Sequence, residues 1–114
     1  MGNFRVVIDT NVWISGQLTE AGVAAELTRL VIQHELPVFS DQTFEELKTR
    51  LWRPKFDRYV TVDQRNALLQ EVHVSGFWVD VPPDIAGMLF CRDSSDDKFI
   101  QLALSANASM LVTG

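Results

Sequence analysis

The stretch Phe4–Trp13, FRVVIDTNVW, decides how the chain is read. Its aliphatic, β-branched run reads as a strand buried on both faces. The run stops at Asp9, and the small polar residues Thr10 and Asn11 follow at once. Asp9 therefore stands at the C-terminal end of a strand. In open parallel α/β sheets ligands bind at that edge, because the connections leaving the strands diverge and open a crevice there.

Outward from this strand, apolar periodicity alternates with short apolar runs. A helix is expected over Val23–His34, with Leu27, Leu30 and Val31 at buried-face spacing. Leu36–Ser40 reads as a second strand, whose proline comes early enough to be tolerated. Ser40 or Asp41 then caps the helix DQTFEELKTRLW, with Phe44, Leu47 and Leu51 inward, and Pro54 makes Arg53 its end point. The segment TVDQRNALLQEVHVSG forms the next helix, capped by Thr61 with Gln64 three residues on and closed by Gly76. FWVDV is a strand that Pro82-Pro83 ends. SSDDKFIQLALSANA is helical, with Phe99, Ile100, Ala103 and Leu104 expected inward, and it leads into the strand SMLVTG. Alternating helices and short strands give an α/β fold: a mostly parallel sheet with helices on both faces. Residues 1–114 form a single domain without repeat or linker. A helix normally follows such a last strand, so the expectation is a domain shortened at its C-terminal end.

Composition narrows the function classes. With 46% hydrophobic and 22% charged residues the chain is globular rather than disordered. It has no apolar run long enough to cross a bilayer and no signal-peptide architecture, so no membrane role is expected. A single cysteine, Cys91, permits no intrachain disulfide and fits a reducing cytoplasm. The net charge of −5 argues against broad attraction to nucleic acid, although a bound cation can reverse the local sign at an acidic site. Basic residues crowd into KTRLWRPKFDR, with Lys48, Arg50, Arg53, Lys55 and Arg58. The segment reads equally as a solvated helix end complementing the helix dipole or as a patch contacting phosphates.

Carboxylates stand at three element boundaries: Asp9 after the first strand, Glu46 in the helix after the second, and Asp93, Asp96 and Asp97 at the start of the helix before the last. Glu46 is preferred to Glu45 as the inward acid because it lies nearer the apolar face. Each has a structural explanation as well. Asp9 can make an Asx-turn, Glu45 and Glu46 can be solvated helix formers, and the aspartates can cap a helix. Jointly, a parallel sheet directs all these boundaries to one edge. Converging carboxylates repel one another unless protonated or bridged by a cation, and oxygen-only ligands favour Mg²⁺ or Mn²⁺. His34, His73 and Cys91 stand alone, so no zinc spacing exists. A phosphoaspartate enzyme needs a second Asp where Asn11 stands, and a receiver domain needs paired acids and a late lysine. Gly-rich phosphate loops, nucleophile elbows and dinucleotide fingerprints are absent.

Three blocks together resemble the PIN domain, a metal-dependent ribonuclease fold found in many bacterial toxin–antitoxin toxins. VVIDTNVWISG is similar to the family's first block, FSDQTFEELKTRLWRPKF to its second, and CRDSSDDKFIQLALSANASMLVTG to its third. The resemblance implies an α/β/α sandwich. It implies a catalytic, metal-binding set of Asp9, Glu46 and Asp96, with Asp97 and Asp93 as competing ligands and Asn11, Ser40 and Thr113 in support. It also implies a fourth acid directly after Thr113-Gly114, where this sequence ends. The implied function is that of a Mg²⁺- or Mn²⁺-dependent endoribonuclease. Water activated by the metal would attack the phosphodiester, and Arg50, Arg53 and Lys55 would contact the RNA backbone. A cognate antitoxin and a homodimer are the implied partners. Two rival expectations stand beside it: an inactive PIN-like binding or assembly module, and a nuclease acting on DNA or on a particular nucleic-acid structure.

Overall fold

The computed structural model describes residues 3–90 and 96–114. Asp93 and Cys91, both named above, lie outside the described residues. The elements run β1 (Arg5–Ile8), α1 (Thr10–Leu18), α2 (Val23–His34), β2 (Leu36–Phe39), α3 (Asp41–Leu51), α4 (Val62–Ser75), β3 (Phe77–Trp78), α5 (Pro83–Ala86), α6 (Asp97–Ala106) and β4 (Met110–Val112). The four strands pair in the order β3-β2-β1-β4, all parallel. The α/β fold with a parallel central sheet is thus present.

Alternation along β1 splits the core into two. Val6 and Ile8 face the side covered by α1, α2, α3 and α4, where Trp13, Val31, Phe39, Leu47, Leu51, Leu68 and Val72 pack. Val7 and Val38 face the opposite side, where Phe99, Leu102 and Ala106 of α6 cover them. Period-two geometry makes this split obligatory for a strand buried on both faces. Arg5 closes the second layer: its guanidinium donates to Ala106 O at 2.9 Å and lies 4.6 Å from the Phe77 ring centroid.

Local capping sets where helices begin. Ser40 caps α3 and exchanges bonds with Thr43, and Thr61 and Gln64 form the reciprocal box that starts α4. The helix α6 ends on Asn107 in the left-handed region (φ 51°), a conformation asparagine tolerates, and Ala108 N–H returns to Ala103 O at 2.9 Å.

Two expectations about helix faces and one about the extent of a strand are corrected. In α2, Val31 is buried and Leu27 partly so, but Leu30 is 53% exposed; Ala25 and Thr28 take the inward positions. In α6 the inward stripe is Asp97, Phe99, Gln101, Leu102 and Ala106, leaving Leu104 52% exposed. The strand expected over FWVDV pairs only at Phe77 and Trp78, as an edge strand with one neighbour, although Val79 N–H still donates to Phe39 O.

Candidate functional site

Asp9 follows β1 and is the N-cap of α1. Its Oδ1 accepts from Val12 N–H at 2.9 Å, satisfying one of the donors that a helix start leaves open. Its Oδ2 accepts from Gly114 N–H at 3.1 Å, and its own N–H donates to Val112 O at 3.0 Å. One nearly buried carboxylate therefore ties the end of β1 to the start of α1 and to the residues after β4. Each oxygen can still accept a further bond, since a carboxylate oxygen offers two lone-pair directions.

Glu46 reaches the same neighbourhood from α3. Thr10, the residue after Asp9, is fully buried and donates its hydroxyl to Glu46 Oε2 at 2.6 Å. Glu46 Oε1 takes two cations: Arg50 at 3.1 Å, one turn along α3, and Lys98 at 3.0 Å, from the first turn of α6. Burial pushes the Glu46 carboxyl pKa up. The Thr10 hydroxyl, the Lys98 ammonium and Arg50 outweigh that push and hold it below its ordinary value of 4.5. Arg50 also donates to Asn11 Oδ1 at 3.4 Å. The neighbouring Glu45 is exposed, so the preference for Glu46 as the inward acid agrees with its placement.

Two aspartates open α6 and face differently. Asp96 is exposed and lines a cavity of about 300 Å³ together with Asp9, Asn11, Phe99, Ile100, Leu111, Thr113 and Gly114. Asp97 is 2% exposed, and its Oδ1 accepts from Phe90 N–H at 3.1 Å, fastening α6 to the segment after α5. Gln101 reinforces that attachment through Ala86 O and Met88 O. Asp96 is thus the accessible acid of the pair and Asp97 a buried anchor.

The other sequence candidates divide between the cavity and its surroundings. Asn11 and Thr113 line it. Ser40, one strand away at the end of β2, uses its hydroxyl to accept from Thr43 N–H in the α3 cap. Arg50 is bound into the acidic centre, whereas Arg53 and Lys55 are exposed on the turn after α3, with the Lys55 ammonium 5.1 Å from the Phe56 ring centroid.

Among the described residues no three of His, Cys, Asp and Glu cluster closely enough to hold a metal ion together. The donor chemistry at the cavity is nonetheless that of a hard cation. Mg²⁺ commonly uses one or two carboxylates and completes its octahedron with water and phosphate oxygens, and the carboxylates that line this cavity are those of Asp9 and Asp96.

A PIN-domain family model matches residues 5–114, covering every strand and helix above. The chain belongs to the PIN domain family. An uncharacterised protein of Methanocaldococcus jannaschii is 28% identical to it over 111 residues, spanning 96% of this chain and 70% of the relative. PIN domains are a nuclease-type family that commonly uses divalent metals, and nuclease activity is supported for this chain at that level. Among the described residues, no helix is long and apolar enough to cross a membrane.

Two residues of this PIN domain escape a reading of the sequence. Lys98 sits between Asp97 and an inward Phe99, where nothing local signals an ion pair with a residue 52 positions earlier (98 − 46). Arg65 is 3% exposed and holds the basic turn: it donates to Leu51 O at 2.8 Å, Arg53 O at 3.4 Å and Asp57 at 3.0 Å, and its guanidinium lies 5.1 Å from the Trp52 ring centroid. An arginine one turn before Leu68 and two before Val72, on the buried stripe of α4, is the only sequence signal for it.

Proposed function

We propose that this PIN domain is a Mg²⁺- or Mn²⁺-dependent endoribonuclease, the toxin of a toxin–antitoxin pair acting in the cytoplasm. The observation that carries the reading is the sharing of one cavity by Asp9 and Asp96, with Glu46 joined to Asp9's neighbour Thr10. Asp9 and Asp96 would hold the cation. A cation held there would supply neutralisation of phosphate charge and a more acidic water.

The chain's own groups do the rest. The bonds from Val12 and Gly114 fix the Asp9 carboxylate in position, which limits the reorganisation needed on binding. Glu46 is kept ionised by Thr10, Lys98 and Arg50. Lys98 and Arg50, two cations against the one carboxylate of Glu46, would leave positive charge beside an otherwise acidic centre and attract the scissile phosphodiester. Arg53 and Lys55 are exposed and extend that attraction along the RNA backbone. A cognate antitoxin would act by covering this edge, and the family resemblance suggests a homodimer.

RNA cleavage by the purified protein tests the proposal. Activity should require Mg²⁺ or Mn²⁺, vanish in excess EDTA, and fall at least about 100-fold in Asp9→Asn while the fold is retained. Undiminished cleavage in EDTA would end the metal mechanism. A second reading, a PIN fold that binds without cleaving, draws on the engagement of both Glu46 oxygens by Thr10, Arg50 and Lys98. It predicts RNA binding with no metal-dependent product. A single-stranded DNA substrate run in parallel separates ribonuclease from deoxyribonuclease.

A further inference from the structure

A second concavity opens at the far end of the sheet, on the β3 side, away from Asp9. It has a volume of about 500 Å³ and is lined by Asp41, Phe44, Glu45, His73 and Trp78. The nuclease reading does not use it, and of its lining Phe44 also packs against the core. We propose that this concavity is a binding site for the guanidinium side chain of a protein partner: an arginine that stacks on Trp78 and Phe44 and is neutralised by Asp41 and Glu45.

The floor is aromatic and held in place from several sides. Phe44 and Trp78 have ring centroids 5.2 Å apart, and His73 lies 5.6 Å from Trp78 and 6.1 Å from Phe44. Phe39 of β2 supports both from below, 5.8 Å from Trp78 and 6.0 Å from Phe44. The indole N–H of Trp78 donates to His73 O at 3.3 Å, so the ring is fixed at its polar edge. Gly76 makes room for it: a Cβ there would stand 3.2 Å from the indole nitrogen and 2.5 Å from Val72 O. Despite this support Trp78 remains 36% exposed. A rigid, exposed aromatic surface costs little entropy on binding.

The rim supplies the sign. Asp41 and Glu45 are four residues apart on α3, hence on one face, and both are exposed. A planar guanidinium satisfies both parts of such a site, stacking on an aromatic ring while donating to carboxylates. A nucleobase would also stack, but it brings a phosphate that two carboxylates repel. The observations therefore favour an arginine over an RNA base. The concavity and the Asp9 cavity lie on opposite sides of β2, so a partner seated here need not enter the acidic centre.

The test follows the Trp78 indole N–H resonance in ¹⁵N-labelled full-length protein during titration with acetyl-Gly-Arg-Gly-amide. The same titration is run with acetyl-Gly-Gln-Gly-amide and with guanosine 5′-monophosphate. The arginine peptide should shift the resonance saturably, in the millimolar range expected for a single side chain, and the glutamine peptide should not. Asp41→Asn combined with Glu45→Gln, both at exposed positions, should weaken binding at least about fivefold while leaving the rest of the spectrum unchanged. Equal response to the glutamine peptide would overturn the proposal, as would tighter binding of the nucleotide, unchanged affinity in the double variant, or no saturable shift.

Discussion

On one face of the sheet Val6 and Ile8 lie beneath four helices; on the other, among the described residues, Val7 and Val38 meet one. The thick side holds Trp13, Phe39, Leu47 and Leu51 in a large aromatic and aliphatic cluster. The thin side rests on Phe99, Leu102 and Ala106, and Leu104, Met110 and Leu111 nearby are exposed. The candidate site spans this inequality. Asp9 caps a helix of the thick layer, and Glu46 also comes from that layer, while Asp96 and Lys98 belong to the start of the thin one. Preorganisation at this edge is therefore supplied mainly from one side.

The largest expected effect compares two fully buried leucines. Leu47→Ala on the thick side should cost about 4 kcal/mol and Leu102→Ala on the thin side about 3 kcal/mol, because a cavity beside large fixed rings relaxes less. Either is a substantial share of the roughly 5–15 kcal/mol that stabilises an ordinary domain. Urea unfolding monitored by circular dichroism gives both values, with an unchanged m-value confirming that stability alone has altered. A larger loss at Leu102 would reverse the ranking of the two layers.

The same inequality explains what could be read from the sequence. β1 was legible because its β-branched run ends sharply at Asp9, and α3 and α4 because Ser40 and Thr61 mark their starts chemically. The inward face of α6 was not. Phe99, Ile100, Leu102, Ala103 and Leu104 are apolar nearly all round, so periodicity alone cannot select the stripe; the helix start at Asp97 and the packing on Val7 select it. Leu30 turns outward for a related reason: Ala24 and Thr28, small enough for close helix approach, are what α2 sets against Gly16 of α1. Of the candidate residues, Asp9, Asn11, Asp96 and Thr113 line one cavity because strand and helix ends bring them to the same edge. Lys98 and Arg65 were not, since long side chains find partners set by the assembled fold.

An intermediate effect probes how firmly the thick layer fixes Asp9. Asp9→Ala removes the α1 cap and the bond to Gly114, and should cost about 1–2 kcal/mol. Asp9→Asn keeps the cap through its one carboxamide oxygen but sets an NH2, which cannot accept, against Gly114 N–H, so it should cost less than the alanine variant, about 0.5–1 kcal/mol. Thermal or urea unfolding of the pair separates the structural use of this side chain from its charge. Equal losses in both variants would mean that the charged second oxygen and its bond to Gly114, and not the cap, supply the stability.

The smallest effect concerns the Glu46–Lys98 pair, which links the thick layer to the thin one. The Glu46 pKa in the folded protein lies below 4.5, its ordinary value and the one expected when unfolded. An unfolded chain therefore binds this proton more readily, and stability falls as the pH falls. The contribution is complete above about pH 4.5 and is lost as the pH drops through the folded-state value. Against Glu46→Gln, the wild-type advantage should stay constant from neutrality down to about pH 5 and shrink below it, by less than about 1 kcal/mol in total. Urea unfolding of both proteins from about pH 3 to 7 measures the difference directly, and added salt should reduce it little because the pair is shielded from solvent. A difference independent of pH throughout would show that Thr10, Lys98 and Arg50 do not favour the ionised carboxylate. The two layers would then be joined at this edge by packing and by the backbone bonds of Asp9, without help from charge.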